Sequence, residues 1–222
     1  MKRVLLFATL LFSAGGVSCF AQDFLNFIEG HEYVDLGLSV KWATCNVGAQ
    51  KPEEYGDYYA WGETETKSEY SWKTYKYCKG NWTNLTKYNS VRKNGTVDKK
   101  SVLDPTDDAA HAHWKGSWYM PTKGELEELM TQCTWEKTTL NGVVGYKVSG
   151  KKPGYTDRSI FIPAAGRYEI GSVYHKGTNV YLSSMSLGDE SDGAYMLIYG
   201  DDEKAVKCGY REYGPSVRPV SL

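Results

Sequence analysis

Cys208 is the side chain here whose type best suits nucleophilic chemistry. It lies in "AVKCGYREYGPSVRPV", residues 205–220, ahead of Gly-Tyr-Arg, a second tyrosine and a Gly-Pro turn. A reactive thiol needs neighbours that favour its thiolate, and in sequence only Lys207 and Arg211 stand close. Both read as solvated side chains. A single thiolate is also a poor metal site, because soft metals take several such ligands. The pattern therefore favours a loop or strand thiol over a catalytic one. Cys45, Cys78 and Cys133 show no C-x-x-C spacing with each other or with Cys208. Buried thiols or a single staple outweigh a zinc site. An oxidising compartment would allow one or two disulfides, with all pairings open.

The other chemistry-bearing types are weaker. On a helix, His111 and His113 in "AHAHW" would point about 200° apart and could not share a metal. His31 and His175 have no ligand spacing with them. Carboxylates cluster in "DESD", residues 189–192, and "DDE", residues 201–203. Asp-rich turns are common because Asp hydrogen-bonds its own backbone, and that reading is preferred over a glycosidase pair or a weak calcium site. There is no nucleophile elbow, phosphate-cradling Gly loop or dinucleotide fingerprint. No cofactor, metal site or catalytic residue is expected.

Binding is better supported. After residue 136 the chain has nine Tyr and twelve Gly but no Trp. Tyrosine offers a large amphipathic contact at modest entropy cost and glycine lets loops adapt, a mixture enriched in paratopes. The residues expected at such a surface are Tyr168, Glu169, Tyr174, His175, Lys176, Asn179, Tyr181, Tyr210, Arg211 and Tyr213. Lys176, Glu169 and Arg211 would orient a ligand from the rim. Arg218 is assigned to structure, with a buried carboxylate as its expected partner.

These residues must be held by elements whose signals are local. "EYVDLGLSVKWATCNVG" alternates as a strand or hairpin. The aromatic, aperiodic run from Glu53 to Asn89 reads as a long ordered loop held by its Trp and Tyr side chains. One helix is predicted from Asp104 as cap with Pro105 first. A second follows the Thr122–Glu125 capping box, with Leu126, Leu129 and Met130 on one face. Asn141-Gly142 predicts a tight hairpin. "RSIFIPAAG" reads as a buried strand, and "GAYMLIYGDDEKAVKCG" as two strands joined at "GDDE". "AYMLIY" is expected to bury one of its alternating sets, Tyr195/Leu197/Tyr199 or Met196/Ile198. "PSVRPVSL" closes the fold. Strands, two helices, then many strands is an α+β order.

Composition sets the outer bounds. The 222 residues carry a net charge of −1 and no basic stripe, which argues against a nucleic-acid partner. The 18 Tyr and 7 Trp argue against disorder. "MKR", an apolar run and "SCFA" read as an export signal cleaved after Ala21, leaving residues 22–222 as one domain. That apolar run is too short to span a bilayer. Lipidation at Cys19 is the less favoured alternative, because Gly16 stands where a lipobox usually has Leu.

The blocks "YVDLGLSVKWATCNVGA", "YGDYYAWGET", "GSWYMPTKGELEEL", "SIFIPAAG" and "YGPSVRPV", in this order, are spread from Tyr33 to Val220. Together they resemble the Fibrobacter succinogenes major paralogous domain family, which is similar to formylglycine-generating sulfatase-modifying enzymes. The resemblance implies a C-type-lectin-like variant: adjacent terminal strands, two helices beside a mostly antiparallel sheet, and long loops forming a binding face. In some proteins of this fold the C-terminal region, here Arg167 to Tyr213, is diversified for ligand binding. The related enzymes hold copper with two cysteines five positions apart. Here Glu203 and Tyr213 stand at those distances from Cys208. The expectation is an exported, non-catalytic module binding a glycan or a protein. The alternatives are an enzyme of that branch or a subunit of a cell-surface assembly.

Overall fold

The computed structural model describes residues 26–222, so the expected leader and Cys19 lie outside the described residues. The chain opens with β1 (Asn26–Ile28), β2 (His31–Val34) and β3 (Lys41–Ala43). The last strand, β13 (Val220–Ser221), pairs with β3, so the two ends of the described chain share one sheet. Between β3 and the helices the backbone forms turns and 3₁₀ segments with no long strand. Aromatic side chains pack this stretch, as expected. Tyr59, Trp61, Tyr70, Tyr75, Tyr77 and Tyr88 are buried in one cluster with Trp118, and burial of such rings is a large apolar contribution.

The helices are α1 (Ala109–Trp114) and α2 (Lys123–Gln132). The capping box of α2 forms as predicted: the Thr122 hydroxyl accepts from Glu125 N, and Glu125 accepts from Thr122 N at 2.7 Å. Leu126 and Leu129 are buried and Met130 is partly buried. The first helix departs from expectation. Asp104 and Pro105 start only a 3₁₀ turn, and Asp108 caps α1 by accepting from His111 N at 3.0 Å. The Asp104 carboxylate is occupied instead by Lys87 at 2.6 Å and Lys100 at 2.7 Å.

Two further sheets carry most of the C-terminal half. One contains β4 (Cys133–Leu140), β5 (Val143–Gly150) and β6 (Ser159–Pro163). Its first turn is Asn141-Gly142 with φ of 48° and 84°, the left-handed pair that a two-residue hairpin requires. After β7 (Arg167–Glu169) and β8 (Ser172–Tyr174) come β9 (Val180–Leu187), β10 (Gly193–Tyr199) and β11 (Lys204–Tyr210). These last three form a sheet with β10 central and β11 on the edge. The short β12 (Gly214–Pro215) extends the β7–β8 hairpin.

The architecture is α+β, with few helices and four separate antiparallel sheets instead of one main sheet. Among the described residues no helix is long and apolar enough to cross a membrane. β10 buries residues of both alternating sets, with Tyr195 only partly covered. Leu197 and Tyr199 join the core that holds α2, whereas Met196 and Ile198 pack with Tyr181 in a cluster of their own. Arg218 is buried as assigned, but its partners are Asn46 Oδ1 at 2.8 Å and the Ala43 and Phe161 carbonyls, not a carboxylate. Cys45, Cys78, Cys133 and Cys208 are all free thiols.

Candidate ligand-binding groove

The β9–β10–β11 sheet is not a flat ladder. The β9–β10 register shifts between Ala194 and Met196, which locally bends the sheet. Met196 then lies over the backbone of β11. A Cβ at Gly209 would sit 2.4 Å from Met196 Cε, so this position must stay glycine for Met196 to lie there. Met196 and Ile198 form the apolar lining of a groove of about 570 Å³, a size within the usual range for small-molecule sites.

Aromatic and cationic groups form one wall. Tyr210, half exposed at 50 %, meets Tyr213 edge to face at 5.5 Å and Trp72 at 6.4 Å. The Arg167 guanidinium stacks 4.6 Å from the Tyr213 ring and 5.0 Å from that of Tyr181. Glu169 holds it in place at 2.8 Å. Burial and the nearby Glu169 and Glu212 charges push the Tyr213 hydroxyl up to about 12, so it is a neutral hydroxyl at ordinary pH. Lys207 pairs with Glu203 at the far end.

The β9–β10 loop also lines the groove, with Asp189, Glu190 and Asp192, and it lies beside Tyr210, since Gly193 pairs with Tyr210 in register. This loop is fastened to the long aromatic segment. Ser191 sits in the left-handed region, φ 60°, and its hydroxyl accepts from Ser90 N at 3.1 Å. Asn94 donates to the Glu190 carbonyl at 3.2 Å. Beneath the loop lies Arg211, fully buried. It donates to the Ser191 carbonyl at 2.8 Å, Tyr88 O at 3.1 Å, Lys87 O at 3.2 Å and Tyr75 Oη at 2.9 Å. Its guanidinium also lies 4.9 Å from the Trp61 ring. Arg211 thus joins the groove wall to the core through a planar fork of donors.

Next to it Glu212 is only 7 % exposed, and its Oε2 has no hydrogen-bond partner. Burial, with added repulsion from Glu169 and Asp192, pushes its carboxyl up to about 7.

Of the residues expected at the surface, Tyr210 and Tyr213 line this groove, and Glu169 holds the Arg167 that lines it. Two expectations are corrected. Arg211 is 0 % exposed and cannot be a rim contact, because aromatic rings and carbonyls surround it. Tyr181 is 3 % exposed, covered by Arg167. Tyr168 is half-buried against Tyr70, at 4.7 Å. Tyr174, His175 and Lys176 are exposed but outside the groove lining, with Lys176 lying over Tyr55 at 4.7 Å. Asn179 is half-buried, its side chain filling the space above Gly200.

Sequence reasoning missed Arg167 and treated "DESD" as an ordinary turn. Cys208 also lines the groove, exposed and opposite Tyr195 in register. Among the described residues no group of three His, Cys, Asp or Glu is placed to hold a metal ion. His111 Nδ1 instead meets Trp118 O at 3.3 Å, and His113 Nε2 meets Thr64 O at 2.8 Å.

A second cleft of about 470 Å³ lies between Leu36–Leu38, the end of α2 and Lys151–Lys152. Two of its charged groups bond within the fold, Glu128 accepting from Ser39 N and Lys151 donating to Thr131 O. The groove over β10 is the larger of the two and the one lined by a half-exposed tyrosine. No family model, no curated protein and no solved structure matches this chain.

Proposed function

We propose that the protein is an exported, non-catalytic binding module that takes a glycan segment in the groove over β10. The observation that carries this reading is the wall chemistry. Asp189, Glu190 and Asp192 are acceptor groups lining the same groove as a half-exposed tyrosine, Tyr210. Ionised carboxylates only accept hydrogen bonds, so a fitting ligand must supply donors. Sugar hydroxyls supply them, and the C–H face of a sugar ring suits the half-exposed Tyr210. A largely preformed site of this kind loses little ordering entropy on binding.

A C-type-lectin-like arrangement belongs to the same reading. It is supported by the first and last strands sharing one sheet, the two helices and the long loop bracing the groove. The absence of a thiol five residues from Cys208 supports binding over copper chemistry.

A glycan array probed with the wild-type chain should give at least one family of related hits. Tyr210→Ala should weaken those hits at least tenfold, the cost of removing one central aromatic anchor being about 2 kcal/mol. Hits that survive Tyr210→Ala unchanged would move the site elsewhere. Binding to proteins alone would replace the glycan with a protein ligand.

A further inference from the structure

We infer that β11 is a pairing edge for a second copy of this chain, joining two β9–β10–β11 sheets across a two-fold axis at Ala205. This goes beyond the glycan reading and does not depend on it.

The fold treats the two edges of that sheet differently. β9 is covered along its outer side. Ser183 N donates to Ser216 O at 3.0 Å, and Ser216 N to Tyr181 O at 3.2 Å. Met185 N donates to Pro121 O at 2.8 Å, Leu103 N to Met185 O at 3.1 Å and Leu187 N to Ser101 O at 2.8 Å. β11 is not covered in this way. Gly200 N donates to Glu203 O at 2.8 Å, and Arg211 N to Asp192 O at 3.1 Å. Combined with the β10–β11 register, these bonds turn the backbone groups of Glu203, Ala205, Lys207 and Gly209 towards β10. Lys204, Val206 and Cys208 therefore turn their N–H and C=O groups outward. Among the described residues no strand, bridge or backbone bond meets them. Such an open row is a template for another strand.

Charge selects the occupant and the register. A two-fold axis pairs the strand with its own copy antiparallel, and outward groups must meet outward groups to form a ladder. Centred on Lys207, this pairing sets Lys207 against itself. Centred on Val206, it sets Glu203 against Gly209. Centred on Ala205, it sets Glu203 opposite Lys207 of the second copy, twice, and opposite charges at such positions are stabilising. The small Ala205 side chains then meet at the axis. Lysine at an edge ordinarily discourages pairing; here Lys207 faces an acid, and Lys204 lies over its own Tyr199 at 5.2 Å. The open edge of β4 lacks this complementarity. Its two fullest self-pairings set Glu136 on Glu136 or Lys137 on Lys137.

The pairing also bears on the groove, which Glu203 and Lys207 line. Residues opposite one another across two strands share a face of the sheet. Both grooves therefore open on the same side of one continuous sheet, and each copy brings its Lys207 to the mouth of the other's groove.

Sedimentation of the full chain from about 5 to about 500 µM tests this, a range suited to a small interface. A monomer–dimer equilibrium that weakens with added salt is expected. Lys207→Glu sets acid against acid twice and should weaken the dimer at least about tenfold. Glu203→Lys/Lys207→Glu exchanges the two charges and should restore it. These edge substitutions should leave the thermal transition nearly unchanged. Ala205→Cys in a Cys208→Ser background should form an interchain disulfide on mild oxidation, because the two side chains meet at the axis. A monomer across the whole range would overturn the inference. So would a dimer that Lys207→Glu leaves intact, or one in which Ala205→Cys forms no cross-link.

Discussion

Arg211→Lys should cost about 4 kcal/mol of folding stability, although it keeps the charge. The guanidinium satisfies three carbonyls and a tyrosine hydroxyl that are otherwise enclosed. An ammonium on a shorter, non-planar head cannot reach all of them. Each buried acceptor left without a donor costs about 1 kcal/mol or more, and water entry limits the total. Urea denaturation followed by tryptophan fluorescence would give the value. The same substitution should weaken groove binding more than its stability cost alone accounts for at a temperature where the variant is folded. The reason is that the Ser191 carbonyl is where Arg211 holds the acidic wall. If Arg211→Lys lost less than about 1 kcal/mol, the charge and not the fork would be what matters.

The second large effect is on pH dependence. Glu212 has its carboxyl raised from an ordinary value of 4.5 to about 7. The sign follows from proton binding: between those values the folded state holds a proton that the unfolded chain has released. The contribution of this group is therefore fully present below about pH 4.5. It declines as pH rises, and is lost above about pH 7, a span of about 3 kcal/mol. Glu212→Gln removes the titration. The variant should match the wild type near pH 4.5 and be about 3 kcal/mol more stable near pH 8. Stabilities that run parallel across that range would show that Glu212 ionises without cost in the folded protein.

What was legible beforehand depended on how local the physics is. The Thr122–Glu125 box, the Asn141-Gly142 turn and the buried run at Ser159–Pro163 are decided within a few residues, and each formed where expected. Asp104 failed as a helix cap because two lysines distant in sequence or one turn away compete for its carboxylate. Arg211 was misplaced for the same kind of reason. In sequence it stands between exposed-looking tyrosines, but its hydroxyl partner Tyr75 is 136 residues away.

Tyr181 shows the limit of alternation. β9 is covered on both sides, by the core at Leu182 and by Arg167 at Tyr181, so a period of two does not separate inside from outside. The groove itself rests on the extra residues of β9 opposite Ala194–Met196 and on the anchoring of the β9–β10 loop, which no short stretch encodes. Composition pointed to Tyr210 and Tyr213, which line the groove. It did not point to Arg167 or to the acidic loop beside them.

Methyl-labelled protein titrated with a binding oligosaccharide would locate the site directly. The methyl resonances of Met196 and Ile198, which line the groove, should shift and saturate with the ligand. Those of Leu36 and Leu38 in the second cleft should stay still. Shifts confined to Leu36 and Leu38, with Met196 and Ile198 unmoved at saturation, would contradict the assignment of the groove as the binding site.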